Sequence, residues 1–199
     1  MRYAMLFTAG LSVATITPAA AEIALPSVSF VGEGSTCVEI GDKRECNPTK
    51  IYYTPQRFRI EIAEGAARQA ALYDLEKRTV TAIDFGEKTY SVSPFDPKKD
   101  DFGAGFVAGP GAYTRAGEEA VGGTPAVKYK LSEARDELRS EIFLWVGADN
   151  IVRRLEATTT GVPNVGKVVS TFEVTKLTMG AVDPKLLELA IPGDFKKVD

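Results

Sequence analysis

RFRIEIA, residues 57–63, alternates in strict period two. Phe58, Ile60 and Ile62 fall on one face and Arg57, Arg59 and Glu61 on the other, the pattern of a strand with one face in a core and one in water. The same signal recurs outward along the chain. TVTAID and TYSV, separated by the turn-rich FGEK, make residues 79–92 a hairpin. AVKYKL places Val127, Tyr129 and Leu131 on one face. EIFLWVG differs, because Ile142, Leu144 and Val146 point one way while Phe143 and Trp145 point the other, so both faces of that strand are apolar. GADN turns the chain into IVRRLEATTT, and GVPNVGK leads on into VVSTFEVTKLTM. Short strands joined by tight turns predict a mainly β chain, an antiparallel meander.

Three segments depart from that rhythm. EGAARQAAL, residues 64–72, has helical propensity from its alanines, although the strand-like LYDLE grows directly out of it. PFDPKKDDFGAGFVAGPGAY, residues 94–113, is a long Gly- and Pro-rich loop whose Phe102, Phe106 and Val107 suit a cover over an apolar surface. Asp183 followed by Pro184 and KLLEL is a helix start, and Pro192-Gly193 a stop, which predicts one short C-terminal helix.

CVEIGDKREC, residues 37–46, carries both cysteines of the chain. Gly41-Asp42 suits a two-residue type II′ loop, and pairing outward from it sets Ile40 opposite Lys43, Glu39 opposite Arg44, Val38 opposite Glu45 and Cys37 opposite Cys46. Alternation from the turn makes the cysteines a non-hydrogen-bonded pair, whose close Cα approach a disulfide can bridge. Redox catalysis calls for CxxC, which is absent, and a zinc site calls for further Cys or His ligands in a chain with no histidine.

The N-terminus supplies a compartment for that disulfide. MRYAMLFTAGLSVATITPAAAEI opens with Arg2, runs apolar from Met5 to Ile16 and closes on three alanines before Glu22. This is the layout of a cleavable secretory signal, residues 1–21, too short to span a bilayer comfortably. No cysteine lies near the cleavage site, so the expectation is an exported protein without a lipid anchor, with residues 22–199 forming one domain. The chain has 24 basic and 27 acidic side chains and no block of like charge, which argues against nucleic acid as a partner.

Candidate catalytic groups dissolve on inspection. GVPNVGK, residues 161–167, matches the start of a phosphate-binding loop, but Val168 replaces the magnesium-binding hydroxyl and a strand follows rather than a helix. Asp100-Asp101 and Glu118-Glu119 sit in polar, Gly-rich surroundings that leave carboxylates solvated. Without histidine, GxSxG or SxxK the chain reads as a non-enzyme, with no cofactor and no metal expected.

Taken together, KIYYTPQRFRIEI (residues 50–62), ALYDLEKRTVTAID (71–84), KTYSV (88–92) and MGAVDPKLLELAIPGDFKKVD (179–199) resemble the LolA-like family of periplasmic outer-membrane lipoprotein carriers. The resemblance rests on the order and spacing of these pieces and covers about residues 47–199. It implies a strongly curved antiparallel sheet forming an incomplete barrel, with a short C-terminal helix, a loop cover and an apolar concave face. On that face it places Phe58, with Ile60 and Ile62 by parity, Ile142, Leu144 and Val146 by phase, and Phe172 and Val174 from STFEV. Phe143 and Trp145 are left on the convex side. It further implies a monomer that takes a lipid or acylated lipoprotein from an inner-membrane transporter to an outer-membrane receptor.

Two features depart from the dedicated carriers. Thr54 stands before Pro55 where they have an arginine that helps regulate cargo grip, and the segment EIALP runs into the strand-like SVSFVG where they have an amphipathic helix. A related periplasmic protein shielding another lipid-like ligand fits equally, and so does an envelope structural or interaction module whose apolar residues simply fill a β core. Periodicity does not distinguish a lined cavity from a packed interior.

Overall fold

The computed structural model describes residues 21–64, 67–96, 107–108 and 112–198. Twelve strands join into one sheet: β1 (Phe30–Ile40), β2 (Lys43–Tyr53), β3 (Arg57–Glu64), β4 (Ala67–Asp74), β5 (Thr79–Asp84), β6 (Thr89–Pro94), β7 (Thr114–Val121), β8 (Thr124–Arg135), β9 (Leu138–Val146), β10 (Val152–Val162), β11 (Gly166–Met179) and β12 (Lys196–Lys197). Their spatial order is β12-β6-β5-β4-β3-β2-β1-β11-β10-β9-β8-β7. Two antiparallel meanders thus run away from a central β1–β11 seam, and β7 and β12 are open edges. Every pairing is antiparallel except the two-residue match of β12 to β6.

No second layer faces this sheet among the described residues, so its apolar face is buried against itself. Phe30, Tyr53, Phe58, Leu144, Leu155 and Phe172, drawn from strands on both sides of the seam, belong to one core cluster, which requires strong curvature. Irregularities at Glu33/Gly34, Arg115/Gly117, Val152/Arg154 and Thr160/Val162 add local bend and twist. Ile23, Phe95, Val107, Ala108 and Tyr113 complete the cluster. The predicted curved, incomplete barrel is the observed architecture.

Local outcomes divide by how far they depend on distant partners. The cysteine hairpin forms in the expected register, with Cys37 opposite Cys46, Cα atoms 4.0 Å apart and a disulfide between them. Gly41 at φ 60° takes the first turn position. Residues 161–167 form the tip of the β10–β11 hairpin, with Asn164 and Gly166 in left-handed conformations, and not a phosphate cradle. EGAARQAAL yields no described helix: β4 begins at Ala67, because pairing with β3 and β5 on both sides outweighs alanine propensity. The C-terminal helix shortens to a 3₁₀ turn, Pro184–Leu187, capped by Asp183, whose carboxylate accepts from the Lys185 N–H. From Glu188 the chain is extended, with Arg59 Nη1 donating to the carbonyls of Leu186 and Glu188 at 3.3 and 2.7 Å. The expected signal segment falls on residues 1–21, of which the described residues include only Ala21, and Phe102 and Phe106 also lie outside them.

Candidate functional site

Directly opposed residues in an antiparallel pair share a face, so the concave surface can be read row by row across the strands. The first row is aromatic. Phe30, Tyr53, Phe58 and Tyr73 stand opposite one another across β1–β4, with successive ring centroids 5.0, 6.1 and 4.3 Å apart, and Phe95 meets Tyr73 edge-on at 5.2 Å. Tyr53 and Phe58 have no exposed surface. From Phe30 to Phe58 this row is packed interior, and half-buried Tyr73 at its end reaches the open groove.

The second row loses bulk as it moves outward. Ile51, Ile60, Ala71, Ala82 and Ser91 are in register across β2–β6. Isoleucine gives way to alanine and then serine, and the missing side-chain volume leaves an open groove of about 350 Å³ on β3–β6. Ile60, Ile62, Ala71, Tyr73 and Ala82 line it, and Val198 of the C-terminal segment contributes to its wall. The volume lies at the lower end of the range typical of small-molecule sites.

The third row is polar: Gln69, Asp84 and Thr89 continue the register from Thr49 and Ile62. Gln69 Nε2 donates to Asp84 Oδ2 at 3.1 Å, and the Glu87 N–H donates to Asp84 Oδ1 at 2.9 Å. The Glu87 backbone bond, reinforced by Gln69 and Gly86, holds the Asp84 carboxyl below the usual carboxylate range. Apolar and polar ends of the groove therefore lie four residues apart along each strand, on the order of 13 Å.

The eight side chains named from sequence all belong to the concave core or pack against it. Phe58, Ile60, Leu144, Val146 and Phe172 are buried in the cluster, and Ile62, Ile142 and Val174 pack on it half-buried. Ile60 and Ile62 are the two that line the groove. Val107 is buried in the same cluster with Ala108. Ala71, Tyr73, Ala82, Gln69, Asp84 and Thr89 were not singled out from sequence. Their alternation was visible, but their alignment with Ile60 and Ile62 exists only in the cross-strand register. Thr54 closes the β2–β3 turn: its hydroxyl donates to the Arg57 carbonyl at 3.0 Å and accepts from the Arg57 N–H at 3.1 Å.

The convex face is organised separately. Trp145 is buried there with Val121 and Ala126, its indole N–H donating to Glu119 Oε2 at 2.9 Å. Lys128 and Arg154, its cross-strand neighbours, lie over the ring at 4.4 and 4.9 Å. Phe143 and Trp145 are thus covered by neighbouring strands and their cationic arms, and Glu119, exposed as the sequence placed it, is also the indole's acceptor. Among the described residues no group of three acidic or cysteine side chains gathers as a metal site would require.

No family model and no curated protein matches the chain. Several solved structures are similar to the chain at low sequence identity. An uncharacterized conserved protein from Thermus thermophilus superimposes with a TM-score of 0.56 at 15% identity, over 86% of this chain and 90% of that one. PNGF-II in its C2 crystal form gives 0.50 at 11% identity, and this chain spans 31% of that protein. A Vibrio parahaemolyticus domain described as an outer membrane lipoprotein-sorting protein gives 0.40 at 5% identity, over 80% of this chain and 89% of that one. At these identities the first two show likeness of fold alone.

Proposed function

We propose that this chain is a non-catalytic, exported binding protein that shields the alkyl part of a lipid-like ligand in the β3–β6 groove. The observation that carries this reading is the decline in side-chain size along the row Ile60–Ala71–Ala82–Ser91, which leaves apolar surface uncovered beside a packed aromatic row. Exposed apolar grooves are costly to maintain in water, and each methylene buried in one contributes about 0.8 kcal/mol. The Cys37–Cys46 disulfide fits an oxidising compartment and supports a periplasmic location. Ligand contact is confined to the open half of the concave face, because Phe58, Leu144, Val146 and Phe172 already pack on protein. Whether the alkyl chain arrives on an acylated lipoprotein passed between an inner-membrane transporter and an outer-membrane receptor, or on a free lipid, turns on what co-purifies.

The test uses native mass spectrometry of protein isolated from the periplasm, together with titration of a fluorescent alkyl probe. Ala82→Trp places an indole in the groove at an exposed position, so it should abolish binding while the melting temperature stays near wild type. Unchanged probe binding in a folded Ala82→Trp protein, or absence of any bound lipid and any probe binding in the wild type, refutes the proposal. The second outcome leaves the filled-core module, a reading favoured by the complete burial of Phe58 and Tyr53.

A further inference from the structure

Building on the binding reading above, we infer that residues 194–198, which include β12, are a strap that closes one side of the groove, and that closure and ligand binding strengthen one another. Val198 supplies the wall on that side. It is 45% exposed, so the closed strap leaves part of this side chain for an occupant of the groove to cover.

The strap hangs from one firm anchor. Leu187 is buried against Tyr52 and Val182, and Arg59 Nη1 donates to the carbonyls of Leu186 and Glu188. Beyond that point residues 190–198 are exposed or half-buried throughout. They return to the sheet through its shortest pairing, the two-residue parallel match of β12 to β6, in which the Lys196 N–H donates to the Lys88 carbonyl at 2.9 Å and the Val198 N–H to the Tyr90 carbonyl at 2.8 Å. Lys88 Nζ donates to Asp194 Oδ2 at 2.9 Å, between side chains 63% and 61% exposed, and the Phe195 ring meets Phe85 edge-on at 5.6 Å. An exposed ion pair contributes little, and ordering the backbone of the strap costs entropy of the same order as its few bonds return. Closed and open forms are therefore close in free energy, the condition under which a bound molecule shifts the balance between them. Ile60, Ala82 and Val198 line the same groove, so an alkyl chain lying over Ile60 and Ala82 gains Val198 as a contact only when the strap is closed. A contact equivalent to about one methylene is a factor of about four in affinity. Linkage is reciprocal, so the ligand favours the closed strap by the factor that closure favours the ligand.

Dodecyl maltoside below micelle formation is a suitable probe, because its uncharged head keeps Asp84 and Lys196 out of the comparison. Calorimetric titration into the disulfide-intact protein should show binding about two- to fourfold tighter than to a chain ending at Gly193, the full factor applying where the strap starts closed. Phe195→Ala removes the packing on Phe85 without touching the groove lining and should weaken binding to the same extent. In wild type, exchange of the Lys196 and Val198 amide hydrogens should slow by about two- to fourfold at saturation. Val198→Ser keeps both backbone bonds, so it should weaken binding while leaving exchange in the ligand-free protein unchanged. Equal or tighter binding to the folded truncated protein, or exchange at Lys196 and Val198 that does not respond to the probe, overturns the strap. Failure of dodecyl maltoside to bind wild type overturns the groove reading itself and the strap with it.

Discussion

The Tyr53 hydroxyl donates to the Pro26 carbonyl at 2.9 Å, joining the aromatic row of the sheet to the N-terminal segment that covers it. Burial pushes the phenol up from 10.0 to about 12. A folded value above the unfolded one means the native state holds its proton more tightly, so this stability is complete below pH 10 and is lost as pH rises toward 12. Alkaline titration followed by circular dichroism should show a loss of about 2–3 kcal/mol across that window. Tyr53→Phe should remove this limb while costing about 1–2 kcal/mol at neutral pH, since the Pro26 carbonyl loses its donor. An identical alkaline limb in Tyr53→Phe would assign it to another group.

Breaking the Cys37–Cys46 bond frees a short loop in the unfolded chain. With a sequence separation of 9, the chain-entropy model puts the loss at about 2–3 kcal/mol. Paired denaturant melts of the oxidised protein and of the Cys37→Ser/Cys46→Ser double variant measure it. Intact mass of freshly exported protein should gain two hydrogens on reduction, and two free thiols before reductant would contradict the assignment.

Gly34 sits at the β1–β11 bulge, where a methyl group would overlap the Glu173 carbonyl oxygen and crowd the Phe172 ring. Gly32, two residues earlier, leaves ordinary contact distance to Phe30 and Ile51. Gly34→Ala should therefore destabilise by about 1–3 kcal/mol or more, whereas Gly32→Ala should change stability by less than about 1 kcal/mol. Equal melting temperatures for the two variants would mean the seam relaxes freely.

Trp145, the sole tryptophan, is buried on the face opposite the groove. Its emission should be shielded from a neutral quencher in the native protein and become accessible on unfolding. Filling the groove with an alkyl ligand should leave its emission maximum unchanged. A shift on ligand addition would place binding on the convex side, against Lys128 and Arg154.

Much of the fold was legible because strand alternation and turn chemistry are local. RFRIEIA, the 79–92 hairpin and the Gly41-Asp42 turn each specify their own geometry, and the turn carries the cysteine register with it. The parity of Phe58, Ile60 and Ile62 was likewise readable, since side-chain direction in a strand follows from position alone, whereas EIFLWVG is apolar on both faces and only the family resemblance set Ile142, Leu144 and Phe172 inward. EGAARQAAL and the Pro184 segment were decided elsewhere. Strand partners on both sides drew Ala67–Asp74 into the sheet, and Arg59, more than a hundred residues away in sequence, holds the chain after Leu187 extended. The groove belongs to that second kind. Ala71, Ala82 and Ser91 are ordinary small residues in sequence, and they make a cavity only because the β3–β6 register sets them in one row beside Ile60, with Asp84 at its polar end. Which side of the sheet a residue faces is a short-range property; what stands across from it, and whether the space between is filled, is settled by contacts that only the folded sheet brings together.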